Sequence, residues 1–259
     1  MEVQLLWQFL NKIIFRIGGG SGGVYEYTVC NPGSATGTGY VIGLGAGILT
    51  INSGVKIENT LYATTPTQQT GLVMVGSPGN GLRPGFGDTL TFSKVNVLAG
   101  AEINASTGAT NNAVWVSGNG ELDNAGTING GLGSSIPSGY AVVNNAGGHT
   151  VNSGGISSVL VGYVAPGNTL PLGGLSSGFI NTSTGVSGSV LARGDMGISG
   201  SATNDGKIYG SLSSVVGDIS NYGYIENTAG IGMDAVGGTS FNSEKLCLLR
   251  MGLKPMLLL

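Results

Sequence analysis

The sequence predicts an all-β chain wound into a right-handed parallel β-helix, a solenoid running from about Tyr40 to Phe241, and three observations carry that prediction. A short unit, Asn-x-Gly-x-Ile, recurs along the chain. Glycine supplies 50 of 259 residues and lies among Asn, Ser and Thr, a background that disfavours helix interiors and suits corners. Hydrophobic residues make up 41%, enough apolar surface to offset the entropy of ordering, so the chain folds despite its glycine.

The unit occurs as Asn124-Ala125-Gly126-Thr127-Ile128, Asn152-Ser153-Gly154-Gly155-Ile156, Asn204-Asp205-Gly206-Lys207-Ile208 and Asn221-Tyr222-Gly223-Tyr224-Ile225. In two copies the likeness runs to nine residues, 124–132 and 204–212, and its second half returns as Val186-Ser187-Gly188-Ser189-Val190. Looser relatives are 51–57 and 103–108. Asn and Gly build a tight corner in which left-handed backbone is expected. The alternation that follows puts Ile and Leu on one side. One such strand cannot bury its face alone, whereas stacked copies pile like residues into an interior column. Corner asparagines in such a stack are positioned to form a side-chain amide ladder.

Spacing fits stacking with insertions. Ile208 and Ile225 are 17 residues apart, Val186 and Ile208 are 22 apart, and the 58 from Ile128 to Val186 match three turns of about 19. Ile128 and Ile156 are 28 apart, so a loop such as 133–139 swells that turn or the corner is shared differently. About ten turns between 40 and 241 predict a rod of roughly 45 to 50 Å at ~4.8 Å per strand.

Flanking segments read differently. Residues 1–17 are apolar, with Leu6, Leu10, Ile13 and Ile17 on one helical face, and form either an amphipathic capping helix or an artefactual or truncated start. Glu2, Lys12 and Arg16 spoil a signal-peptide pattern, and the run is too short and interrupted to span a bilayer. Residues 18–39 form a Gly-rich joint or first turn. After Phe241 the composition shifts to Leu, Cys, Lys and Met, so 242–259 reads as a frameshifted or truncated end, with an apolar cap over the last turn as the rival. An uncovered rung between Asn221 and Phe241 is expected to drive self-association edge to edge.

The repeated Asn-x-Gly-x-Ile corners, the Gly/Asn/Ser/Thr background and the scarcity of cysteine resemble the passenger region of Gram-negative autotransporters, the secreted part of type V systems, over about three quarters of the chain. The resemblance implies a surface-exposed or secreted protein, associated with the outer membrane in its full-length parent. It further implies a translocator β-barrel, which this chain lacks, and adhesin-like contact with molecules on host or neighbouring cells.

Chemistry-bearing residues are sparse. His149 stands alone, which leaves triads and His-rich metal sites without parts. Glu121 and Asp123, two apart on one strand, share a face and form the best carboxylate pair for glycoside hydrolysis; a solvated outer face is the plainer reading. Asp88, Asp195, Asp205, Asp218 and Asp234 lie near glycine, as turn residues do. Gly43, Gly45 and Gly47 lack phosphate-loop spacing. Cys30 and Cys247 form no metal pattern, and no cofactor or metal is expected. With net charge −3 and scattered cations, nucleic acid is not an expected partner. Tyr140, Tyr163, Tyr209, Tyr222 and Tyr224 offer stacking surfaces or pack between turns. Tyr222 and Tyr224 share a face by parity and are the expected contact face.

These readings favour a binding or structural rod and not an enzyme. The alternatives are a β-helical polysaccharide-processing enzyme or tailspike-like protein, in which Glu121 and Asp123 gather charges from adjacent turns, and a nonfunctional fragment of a broken gene.

Overall fold

The computed structural model describes residues 15–17, 26–29, 34–35, 42–44, 47–58, 71–76, 92–105, 112–118, 120–131, 139–163, 176–193, 199–243 and 246–248. Among them every regular element is a strand and every ladder is parallel. The chain is a parallel β-helix with three faces.

Face I stacks Glu26–Val29, Gly47–Ile51, Ser93–Val97, Gly120–Asn124, His149–Asn152, Ser176–Asn181, Ser199–Asn204, Asp218–Asn221 and Ser240–Asn242. Face II stacks Ser34–Ala35, Lys56–Glu58, Glu102–Asn104, Thr127–Asn129, the first halves of Gly155–Tyr163 and Val186–Ala192, then Lys207–Tyr209, Tyr224–Asn227 and Leu246–Leu248. Face III stacks Phe15–Ile17, Ile42–Leu44, Gly71–Val75, Asn112–Val116, Val142–Asn145, the second halves of the same two long strands, Leu212–Ser214 and Met233–Ala235. Those two long strands bend through a corner without breaking, which joins faces II and III into one sheet of 16 strands.

The core lies between the three faces. On face II the inward column is Ile57, Ile103, Ile128, Ile156, Ser187, Ile208 and Ile225, each in register with the next and each buried. Burying one such isoleucine stabilises the fold by about 1.5 to 3 kcal/mol. Face I contributes Leu49, Val95, Leu122, Thr150, Phe179, Ala202 and Ile219, and face III contributes Val73, Val114, Val142, Val159, Val190 and Leu212. Thr150 breaks the aliphatic run without orphaning its hydroxyl, which donates to Asn144 Oδ1 at 2.7 Å, while Asn144 Nδ2 donates to the Gly178 carbonyl at 2.8 Å. A second apolar cluster, Met74, Trp115, Val143, Leu160 and Tyr163, is buried on the outer side of face III.

The corner from face I to face II carries the expected amide ladder. Nδ2 of Asn124 donates to Oδ1 of Asn152, and the chain of donations continues through Asn181, Asn204 and Asn221 to Asn242 at 2.7 to 2.8 Å. The same side chains hold their own corners: Asn124 Oδ1 accepts from Gly126 N at 3.1 Å, Asn152 Oδ1 from Gly154 N at 3.2 Å and Asn221 Oδ1 from Gly223 N at 3.3 Å. Below Asn124 the position is apolar, Val97 and then Ile51. The ladder therefore begins partway along the rod, and Asn52 and Asn104 lie outside it.

Several expectations need correction. The glycines of the Asn-x-Gly corners do not use left-handed backbone; Gly126, Gly154, Gly206 and Gly223 are absent from the positive-φ glycines. Glycine is required there by close approach, because a Cβ on Gly154 would overlap the Gly126 carbonyl oxygen and one on Gly223 would overlap that of Gly206. Ile128 to Val186 spans two turns and not three, since Ile128 faces Ile156 and Ile156 faces Ser187. Val186 itself points outward. The cause is the corner after Asn181, two residues longer than Asn-x-Gly, which moves the first inward position to Ser187, whose buried Oγ has no hydrogen-bond partner.

Among the described residues eight face-I strands, not ten turns, lie between Gly47 and Asn242, because turn length varies: Leu49 and its neighbour Val95 are 46 residues apart, Ala202 and Ile219 only 17. Nine rungs give a rod of roughly 40 Å at ~4.8 Å per rung. Phe15–Ile17 is a strand paired with Ile42–Leu44, so a capping helix does not extend to Ile17; residues 1–14 lie outside the described residues. The rung at 218–227, expected to be uncovered, is instead covered by Ser240–Asn242 and Leu246–Leu248.

Asn181 sits mid-ladder, taking a hydrogen bond from Asn152 and donating to Asn204 Oδ1 at 2.7 Å, Lys207 O at 3.1 Å and Gly185 O at 3.2 Å. Asn181→Ala strands buried amide groups on both neighbours and is expected to cost about 3 kcal/mol, measured as the drop in urea-unfolding free energy. A loss under about 0.5 kcal/mol would remove the ladder from the list of supports.

Candidate functional site

The outer sides of faces I and II hold the candidate residues. On face I, strand alternation turns Lys94, Glu121 and His149 outward in one register column, with Asp123 two residues beyond Glu121. Glu121 and Asp123 do share a face, and both reach the same cation: Lys94 Nζ lies 2.5 Å from Asp123 Oδ2 and 3.5 Å from Glu121 Oε2. The hydrogen bond to Asp123 raises the Lys94 pKa, partial burial opposes it, and the charges of both carboxylates add to the rise. His149 lies across Gly178 of the next rung, where a Cβ would stand 2.7 Å from Nδ1. The pair therefore shares one cation from an adjacent turn, in a half-exposed ion cluster of a kind worth about 0 to 1 kcal/mol.

On face II, aligned copies of the repeat set Lys207 beside Tyr224 and Tyr209 beside Glu226. Tyr209 and Tyr224 are exposed at 53% and 36% and meet edge to face, centroids 6.5 Å apart. Tyr224 Oη donates to Glu226 Oε2 at 3.0 Å. Tyr222 is also exposed but sits in the corner, against Phe241 of the next rung at 5.4 Å. Parity does not carry across a corner, so Tyr222 and Tyr224 have different neighbours. Tyr163 is buried edge-on to Trp115 at 5.9 Å, and half-buried Tyr140 packs on the same cluster. Burial pushes the Tyr140 phenol pKa up, with the Arg193 charge opposing.

The remaining candidates scatter. Asp205 lies exposed at a corner and Asp234 on the strand Met233–Ala235, while Asp88, Asp195, Gly45 and Cys30 fall outside the described residues. Gly43 and Gly47 sit on successive strands of faces III and I. Cys247 lies on Leu246–Leu248, opposite Glu226. Among the described residues no group of three or more His, Cys, Asp or Glu is placed to hold a metal, and no helix is long and apolar enough to cross a membrane. Sequence reasoning missed Lys94, which belongs to no repeat copy. It also missed the pairing of Tyr209 with Tyr224, although the signal was present: counted from Asn204 and Asn221, Lys207 and Tyr224 share one offset, Tyr209 and Glu226 another.

Asp218 has a structural task. Its Oδ1 accepts from the Thr239 hydroxyl at 2.6 Å and the Thr239 N–H at 2.8 Å, and these bonds hold its pKa below the ordinary 3.8. A depressed carboxylate stabilises the fold above its unfolded pKa and loses that contribution as pH falls through the folded one. Asp218→Asn is expected to lose less stability than the wild type between about pH 5 and pH 2. Urea midpoints across that range check this, and parallel curves would contradict it.

No family model, curated protein or solved structure matches the chain.

Proposed function

We propose that the chain acts as an exported, adhesin-like rod, an autotransporter passenger region whose long faces contact molecules on host or neighbouring cells. The observation that supports the reading best is the stack itself. Nine rungs hold outer surfaces of different chemistry at fixed separations, with an ion cluster low on face I and exposed aromatic rings high on face II. Weak contacts spread along such a rod gain strength when many copies are displayed together. Secretion to the cell surface of a Gram-negative bacterium, with attachment to the outer membrane through the parent protein's translocator barrel, belongs to the same proposal.

Beads coated with the purified chain at graded density test it. Adherence to epithelial and bacterial cells is expected to rise more steeply than density, whereas beads carrying an unrelated globular protein stay unbound. Failure to adhere at any density would end the adhesin reading.

One observation favours a second reading. Lys94 reaches Glu121 and Asp123 from the rung below, and His149 stands in the same outward column on the rung above, a gathering of charge of the kind a polysaccharide-processing enzyme requires. On that reading Glu121→Gln and Asp123→Asn each abolish release of reducing ends from pectin or neutral glucans. The absence of any release by the unmodified chain removes the reading.

A further inference from the structure

We infer that a step on the outer side of face II, centred on Tyr209 and Tyr224, is a binding site for neutral oligosaccharides; this rests on the binding-rod reading and names its ligand class. The step follows from the register. Ser157 and Gly188 occupy successive lower rungs, and a Cβ at Gly188 would overlap the Ser157 carbonyl oxygen, so this part of the face must stay low. The next two rungs carry the long side chains, Lys207 with Tyr209 and Tyr224 with Glu226. Two tyrosine rings thus rise beside a low floor at Ser157 and Gly188, which exposed Val186 flanks below Lys207.

The chemistry selects the occupant. The edge-to-face arrangement keeps the rings at an angle of 69°, and their apolar surface suits the C–H face of a pyranose. Glu226 supplies an acceptor and Lys207, which has no ion pair among the described residues, a donor for sugar hydroxyls. One cation beside one anion complements an uncharged, polyhydroxylated ligand. An anionic polymer would need a row of cations. An added peptide strand needs an open backbone edge, and here strands above and below occupy both edges. A standard protein interface covers about 800 Å² per partner, far more than two rungs about 5 Å apart present.

The test uses the full chain on an array of neutral hexose and N-acetylhexosamine oligosaccharides, with sulfated and carboxylated versions as the anionic arm. Titration calorimetry follows on the best ligand. The expected result is binding to neutral members, weakened about tenfold or more by Tyr209→Ala and changed less than about threefold by Tyr209→Phe, since stacking and not the hydroxyl does the holding. Thermal melts of each variant show whether it is folded, and Glu226→Gln, which keeps the shape, serves as the second variant with an expected loss of about threefold. Binding restricted to the anionic arm, or binding untouched by both Tyr209→Ala and Glu226→Gln, overturns the site. If no sugar binds yet coated beads still adhere to cells, the sugar site is wrong and the rod reading stands. If neither happens, both fall.

Discussion

A chain of amide hydrogen bonds, Asn124 to Asn242, is the constraint on which the rest of this solenoid depends. Parallel strands with aliphatic interiors have a weakness: slipping one rung by two residues keeps every inward side chain inward, so burial alone does not fix the register. The ladder does. A two-residue slip would break the amide-to-amide bonds, setting Asn181 opposite Ala202 for example, at a desolvation cost of about 1 to 3 kcal/mol for each buried group left unmet. Because every donation runs in the same direction, each amide also polarises the next.

From that fixed corner the remaining geometry follows by counting. Four residues after Asn124, Asn152, Asn204 and Asn221 the first inward position is isoleucine, and those four residues extend the face II column that Ile57 and Ile103 begin below the ladder. After Asn181 the corner is longer, the inward position arrives as Ser187, and a buried hydroxyl without a partner interrupts the column. The outer chemistry is set by the same count. Tyr209 and Tyr224 stand on neighbouring rungs because their offsets from successive ladder residues differ by one outward step.

The residues that made the fold legible in the sequence are those that repeat. Asn124, Asn152, Asn204 and Asn221 with their isoleucines predicted parallel stacking, an interior column and an amide ladder, and all three are present. Turn length was not legible, because strands short enough to stack place no limit on the chain between them; hence the expected ten turns against eight strands. Asn181 and Asn242 hid because their corners do not carry Gly two residues on. The role of glycine was misjudged because the overlap that demands it comes from the rung beneath, 17 to 29 residues away in sequence. For the candidate site, the shared face of Glu121 and Asp123 was legible from strand parity, while the Lys94 between them was not, since contact across rungs depends on a register that spacing alone left open.

The closeness of the rungs at the ladder corner also decides where this chain tolerates added length. Between faces I and II the described corners hold two or four residues, as at 125–126, 153–154 and 182–185, whereas 12 residues separate Glu58 from Gly71 and 12 separate Tyr163 from Ser176 at the borders of face III. Growth by insertion is thus channelled to two of the three edges. A foreign peptide grafted at either border of face III leaves the amide chain untouched, while the same graft after Asn152 pushes Gly154 off the Gly126 carbonyl, breaks the bond that Gly155 N–H donates to it and splits the rod.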